Sequence, residues 1–153
     1  MNRFGAVVVG SCAALAFAGC SHRPATTSTS PGARTAEHLT LPKGKLPVTL
    51  AITDVAISTA AQPVLRIGFK INNGLKTMQL CDPTYFEIEL AGGSTIPADQ
   101  AADNTCSPDS LDPKATGTAR MYFDLTAPYT GQLALLMLSR DGKTVGATTT
   151  TLH

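Results

Sequence analysis

Apolar and polar residues alternate with a period of two through most of the chain beyond residue 46. The clearest run is 65–71, where the odd positions are apolar and Arg66, Gly68 and Lys70 lie between them. Strict alternation over such a length is typical of a half-buried β-strand. No part of this region shows the apolar stripe of an amphipathic helix. The pattern therefore predicts an all-β domain.

Turn-forming residues divide this region into short strands. Strands are predicted at 48–57, 65–71, 77–80, 86–90, 119–125, 133–138 and 145–152, with turns such as Asn72-Asn73-Gly74, Gly92-Gly93 and Asp141-Gly142 between them. The apolar phase slips at Asp54, which predicts a β-bulge, and residues 97–114 are predicted to form a long loop. Some seven or eight short strands of this kind indicate an Ig-like antiparallel β-sandwich.

The same alternation predicts which side chains face the core. They are Leu65, Ile67, Phe69, Ile71, Phe86, Ile88, Leu90, Met121, Phe123, Leu125, Leu133, Leu135 and Met137. Residues 133–138 are apolar at every position, which is typical of a central strand with both faces covered.

The N-terminus follows a different pattern, typical of an export signal. A positively charged start precedes an apolar run at 5–18, which is shorter than the roughly 20 residues of a membrane-spanning helix. Ala18-Gly19-Cys20 then resembles the end of a bacterial lipobox, although Phe17 stands where leucine is usual. We predict a lipoprotein signal peptide over residues 1–19 and lipidation of Cys20.

The remaining chain divides into a linker and a domain. Residues 20–45 are rich in Thr, Ser and Pro, so they are predicted to form a lipid-anchored disordered linker. Residues 46–153 suit a single Ig-like β-sandwich domain. The protein is thus expected at the cell membrane, lipid-anchored on the extracytoplasmic side. A plain secretory cleavage site at Ala16-Phe17-Ala18 is the alternative.

The cysteines of the predicted domain are Cys81 and Cys106. Export places them in an oxidising compartment, where paired cysteines usually form disulfides. With Cys12 removed in the signal peptide and Cys20 acylated, one pairing is left. We predict a Cys81–Cys106 disulfide, because the spacing is far from the C-x-x-C of a redox or metal pair.

Few side chains of the domain suit catalysis or metal binding. Its histidine is the C-terminal His153, which leaves a Ser-His-Asp triad without a base. Glu87 and Glu89 share a strand face and are interpreted as solvated rather than as an acid–base pair. The aspartates of the long loop do not follow the EF-hand spacing. We therefore expect no enzymatic activity, no metal site and no cofactor.

Four stretches resemble a known protein family. They are Asp54-Val55, Phe69-Lys70-Ile71-Asn72, the segment 86–93, and Leu111-Asp112-Pro113-Lys114 ahead of the strand at 121–125. Together they resemble the small Ig-like domains of actinobacterial and other Gram-positive secreted proteins and lipoproteins, typified by a secreted immunoprotective antigen. Pro113-Lys114 stands where that family often has Pro-Gly. The resemblance implies an antiparallel sandwich without established catalytic residues.

The expected function is that of a binding or interaction module on the cell envelope. Its expected partners are the membrane, through the N-terminal lipid, and an unknown envelope protein or glycan. The chain has 12 Lys and Arg against 11 Asp and Glu without a basic cluster, which argues against nucleic acid. The alternative function is a carrier that holds a small apolar ligand or a metal ion between the sheets or at their mouth.

Overall fold

The computed structural model of the protein describes Leu39 and residues 41–153. The predicted signal peptide, Cys20 and most of the predicted linker lie outside the described residues. The described residues all belong to one compact unit. Within them, no helix is long and apolar enough to cross a membrane.

The described residues form ten strands and one turn of 3-10 helix, at Pro83–Tyr85. The strands are β1 (Val48–Ile57), β2 (Val64–Asn73), β3 (Gln79–Leu80), β4 (Phe86–Leu90), β5 (Thr95–Pro97), β6 (Thr105–Ser107), β7 (Ser110–Leu111), β8 (Thr116–Asp124), β9 (Gly131–Leu138) and β10 (Thr144–Leu152). Eight of them form one sheet in the order β5-β4-β9-β10-β1-β2-β8-β6, and β3 pairs with β7. The predicted Ig-like β-sandwich is confirmed.

The large sheet folds over on itself into two layers. We call β5-β4-β9-β10 the back sheet and β1-β2-β8-β6 the front sheet. The layers are joined where Val48 of β1 pairs in parallel with Gly146 of β10. A Cβ at position 146 would lie only 3.1 Å from the Val48 Cβ, so glycine permits this close approach. The other strand pairs described here are antiparallel.

The core lies between the two sheets and contains the predicted inward side chains. All of them are buried except Leu90, which is partly exposed at the margin of the core. The rings of Phe69 in β2 and Phe86 in β4 pack 5.2 Å apart at an interplanar angle of 59°. This tilted contact is a favourable aromatic geometry, and it joins the front sheet to the back sheet.

Details of the strands differ in part from the prediction. The bulge is confirmed, because the β1–β2 register shifts between Ile52 and Asp54. The predicted long loop at 97–114 instead contains the short strands β6 and β7. The C-terminal strand β10 lies inside the large sheet, between β9 and β1, and the edges are β5 and β6.

A buried amide closes the end of the front sheet. The Asn73 side chain, at the end of β2, is fully buried. Its Nδ2 donates hydrogen bonds to the carbonyl oxygens of Leu111 at 2.8 Å, Thr77 at 3.0 Å and Asp112 at 3.2 Å. Its Oδ1 accepts a hydrogen bond from the Leu75 N–H at 3.0 Å. One side chain thus satisfies the backbone of two separate turns.

The main chain of Asn73 holds the same turns together. Its N–H donates to the Ala115 carbonyl at 2.9 Å, and its carbonyl accepts from the Lys114 N–H at 2.8 Å. Lys114 has a φ of 69°, in the left-handed region that favours glycine. For a residue with a Cβ, this backbone conformation is less favourable than a right-handed one by about 1 kcal/mol. The surrounding hydrogen bonds must therefore hold the turn in place. This position is the one where the resembling family often has glycine.

We expect Asn73→Ala to lower the free energy of unfolding by about 3 kcal/mol, because it leaves several buried backbone groups without a partner. Asn72→Ala is the matched control: Asn72 is the preceding residue, its side chain is exposed, and the expected change is below about 0.5 kcal/mol. Urea unfolding of both variants measures the difference. Equal midpoints for the two variants would show that the buried amide does not hold the turns.

Candidate binding surface

The outward side of the front sheet is a polar surface, which we call the front face. It is formed by the outward residues of four strands, namely Thr49, Ala51, Lys70, Asn72, Ser107, Thr116 and Thr118. They are brought together by strand register rather than by sequence. Thr49, Asn72 and Thr116 lie side by side in one row, and Ala51, Lys70, Thr118 and Ser107 lie in the next.

The front face contains an open depression of about 540 Å³. Its walls carry threonine and serine hydroxyls, the Asn72 amide and the Lys70 ammonium group, and its lining includes the small residues Ala51 and Gly117. Hydroxyls and amides both donate and accept hydrogen bonds, whereas the ammonium group only donates. The depression can therefore bind a polar ligand rich in hydroxyl groups and can pair with one negative charge.

The bulge in β1 shapes the end of this surface. It places the Asp54 carboxylate over Gly68, where any Cβ would overlap the carboxylate. The Asp54 Oδ2 forms an ion pair with Arg66 Nη2 at 3.0 Å, and both side chains are partly exposed. A smaller hollow of about 180 Å³ beside them is lined by residues that include Thr105 and Arg120. Lys70 and Arg120 give this region a positive character while Arg66 engages Asp54.

The predicted disulfide joins Cys81 to Cys106, with a Cα–Cα distance of 5.9 Å. Cys81 is buried directly after β3, and Cys106 is the central residue of β6. The Cys81 N–H also donates to the Asp109 carbonyl at 2.8 Å. The bridge therefore attaches the edge strand of the front sheet to the β3–β7 pair, and it fixes the strand that carries Ser107.

A second hollow, of about 400 Å³, lies beside the disulfide. It is lined by residues that include Asp82, Asp109 and Asn104. The pKa of Asp82 is lowered, chiefly because its Oδ1 accepts hydrogen bonds from the Thr84 hydroxyl at 2.6 Å and the Thr84 N–H at 3.0 Å. Among the described residues, no three His, Cys, Asp or Glu side chains converge in a way that could hold a metal ion.

The paired glutamates of β4 lie on the outer face of the back sheet and are not both solvated. Glu89 is only 6% exposed, so its predicted solvation is wrong. Glu87 is half-buried, and its pKa is raised because burial penalises the charged carboxylate and because Glu89 lies nearby. Two neighbouring carboxyl groups on one strand face do not form a cleft for acid–base chemistry. Leu39 packs on the same outer face, against Ala134 and Leu136 of β9.

Sequence reasoning found some of these residues and missed others. Cys81 and Cys106 come together as predicted, while Cys20 lies outside the described residues. The front face was not predicted, since its members are spread over residues 49–118 and none belongs to a recognisable motif. The available signal was the repeated threonine at the outward positions of the strands that became β1 and β8.

No protein-family model and no curated protein matches the sequence. Similar solved structures include MPT63, a secreted protein of Mycobacterium tuberculosis (20% identity over 64% of this chain and 79% of that chain, TM-score 0.46). Another is a lipoprotein candidate from Bacillus subtilis (14% identity over 67% of this chain and 35% of that chain, TM-score 0.49). A third is the archaellum periplasmic stator complex of FlaF and FlaG from Sulfolobus acidocaldarius (11% identity over 76% of this chain and 98% of that chain, TM-score 0.43). All are too distant to carry an argument about activity or partners.

We expect loss of the disulfide to destabilise the domain by about 3 kcal/mol, because the bridge restricts the unfolded chain over a separation of 25 residues. The double variant Cys81→Ala, Cys106→Ala should show this loss in denaturant unfolding. A reductant should have a similar effect on the wild type and none on the double variant. Two thiols that react freely with an alkylating agent in unreduced protein would contradict the bridge.

Proposed function

We propose that this protein is an envelope lipoprotein, held on the extracytoplasmic side of the cell membrane by lipid on Cys20. Its Ig-like domain acts as an interaction module that binds an acidic envelope glycan through the front face. The lipobox-like sequence before Cys20 supports the anchor. A diacylated cysteine supplies two chains, which is enough for stable attachment without a membrane-spanning segment.

The depression in the front face carries the binding proposal. Sugar hydroxyls exchange hydrogen bonds with threonine and serine hydroxyls and with the Asn72 amide, which line the depression. Lys70 supplies a charge-assisted hydrogen bond to a carboxylate or phosphate on the same polymer. Because these side chains project from hydrogen-bonded strands, their spacing is fixed before the ligand arrives, which reduces the entropy lost on binding.

The alternative of a carrier for a small apolar ligand has less support. The space between the sheets is filled by large side chains that include Phe69, Phe86 and Phe123, each at most 1% exposed. A ligand between the sheets would have to displace them from a close-packed core. The proposal also assigns no catalytic step, since the described polar groups are spread over an open surface rather than converging in a cleft.

The anchor is tested by Cys20→Ser. We expect this variant to move from the membrane fraction to the soluble fraction, and intact mass spectrometry should show loss of the lipid mass. Ser21→Ala leaves the cysteine in place and is expected to remain in the membrane fraction with its lipid. A Cys20→Ser variant that stays in the membrane fraction, together with an unmodified Cys20 in the wild type, would refute lipid anchoring.

The binding surface is tested by Lys70→Glu, which reverses the charge within the depression. We expect retention on purified acidic cell-wall glycan to fall at least tenfold, while the thermal midpoint changes little because Lys70 is exposed. Lys76→Glu is the control: it makes the same charge change in an exposed turn that does not line the depression. Salt should weaken the wild-type interaction, since an ionic contact is screened.

The possible results of these experiments test the proposed ligand and the proposed binding surface separately. Wild-type protein that is not retained on the glycan rules out the glycan as ligand. Equal retention of wild type, Lys70→Glu and Lys76→Glu rules out the front face. A protein captured from envelope extracts by the wild type but not by Lys70→Glu would show that the front face binds a protein, and the glycan would then be wrong.

A further inference from the structure

The two hollows of the front face adjoin each other. The depression of about 540 Å³ and the smaller hollow of about 180 Å³ have Ser107 and Thr118 in common in their linings. Both residues are exposed, and they pair in register across β6 and β8. The two hollows therefore form one groove across the front sheet, with two hydroxyl groups where they meet.

Each half of this groove contains one positively charged side chain. Lys70 lines the larger hollow and Arg120 lines the smaller one, and both side chains are exposed. Lys70 pairs in register with Thr118, which lies two residues before Arg120 in β8. Such diagonal neighbours on antiparallel strands lie about 7–8 Å apart, and they project from the same face of the sheet. The strand pairing therefore fixes the spacing from which the two cationic side chains extend.

The other charges near the groove compensate each other. Arg66 Nη2 donates a hydrogen bond to Asp54 Oδ2 at 3.0 Å, and the two side chains form an ion pair. Asp54 lines the smaller hollow, where its carboxylate lies over Gly68. Because Arg66 neutralises Asp54, an anion in this hollow meets the net charge of Arg120. Among the residues that the structure describes, neither Lys70 nor Arg120 forms an ion pair.

We propose that the groove binds two successive acidic units of one glycan chain, the first at Lys70 and the next at Arg120. This inference rests on the proposed function and specifies its ligand, namely a polymer with a carboxylate or phosphate group on each repeating unit. A lone acidic unit fills one half of the groove, whereas two linked units fill both. The second contact is then intramolecular, so the longer ligand gains affinity without any new kind of contact.

The lining of the groove favours an acidic sugar chain over a nucleic acid. Thr118, Ser107 and Thr105 supply hydroxyl groups near the two cations, and these groups can donate hydrogen bonds to sugar hydroxyls and accept hydrogen bonds from them. Single-stranded nucleic acids are usually bound by stacking their bases on exposed aromatic side chains. The one aromatic residue among the described lining residues is Phe69, which is 1% exposed and belongs to the core.

The test measures how affinity depends on the number of acidic units. Fragments of the purified acidic cell-wall glycan that carry one or two acidic units compete with the immobilised polymer for the wild type. We expect the two-unit fragment to compete at least tenfold more strongly than the one-unit fragment. Methyl esterification of the acidic groups should remove this advantage, because the esters carry no charge that Lys70 and Arg120 can pair with.

Arg120→Gln tests the second half of the groove. The variant loses the charge and keeps a polar side chain, so we expect the advantage of the two-unit fragment to fall below about threefold. Arg140→Gln is the matched control: Arg140 is exposed in the turn after β9 and is not among the residues that line either hollow. This control should keep the full advantage of the two-unit fragment. Circular dichroism of both variants checks that the sheets are intact.

The results distinguish the two-unit groove from the proposed function on which it rests. Equal competition by the two fragments, or an unchanged two-unit advantage in Arg120→Gln, would overturn the two-unit groove and leave binding at Lys70 intact. Equal losses in Arg120→Gln and Arg140→Gln would refute it in favour of diffuse attraction between charges.

Two further results concern the class of ligand. If a peptide with two adjacent glutamates competes as well as the two-unit fragment, the groove would be assigned to an acidic protein segment, and the glycan would be wrong. Wild-type protein that binds neither the polymer nor any fragment would refute the glycan as ligand and the two-unit groove with it.

Discussion

The front sheet depends on a buried amide at the end of β2. Asn73 forms hydrogen bonds with the backbone of two turns, at residues 74–77 after β2 and at residues 111–115 after β7. Leu111 belongs to β7, and β7 pairs with β3 directly ahead of Cys81. The disulfide then carries the constraint to β6, whose Ser107 contributes to the front face. A side chain buried without solvent contact thereby fixes the position of a residue on the candidate binding surface.

The outer faces of the two sheets differ in polarity. The outward positions of β1 and β8 include Thr49, Thr116 and Thr118, and threonine remains hydrated at little cost and suits a strand. The outward positions of β9 and β10 include Ala134, Leu136 and Ala147, whose exposure would cost roughly 25 cal/mol for each Å² of apolar surface. The polar face can stay open to a ligand, whereas the apolar face must be covered. This difference distinguishes the surface that can bind from the surface that is part of the fold.

Sequence patterns predicted what depends on local alternation and missed what depends on distant contacts. The strands, the inward side chains and the bulge at Asp54 follow from a period of two that neighbouring residues reveal. The strands β6 and β7 are too short to show a period, and their pairing partners lie far along the chain. The left-handed backbone conformation of Lys114 could not be predicted from the residue itself, because lysine does not favour that conformation. The one hint was that lysine stands where the family that the sequence resembles often has the glycine of Pro-Gly.

The burial of Glu89 shows most clearly why the solvent exposure of a strand face cannot be predicted from the residues of that strand alone. Glutamates that alternate with apolar residues predict a strand with one hydrated face and one buried face. The apolar residues of β4 do face the core, as this pattern predicts. On the outward side, Leu39 packs against Ala134 and Leu136 of the adjacent strand β9, although it is distant in sequence and lies in a stretch of low apolar content. The one available clue was that 133–138 is apolar on both faces, which requires cover on both sides of the strand. Leu39 contributes to that cover on the back sheet, whereas the opposite layer, with its hydroxyl-lined depression, is open to solvent.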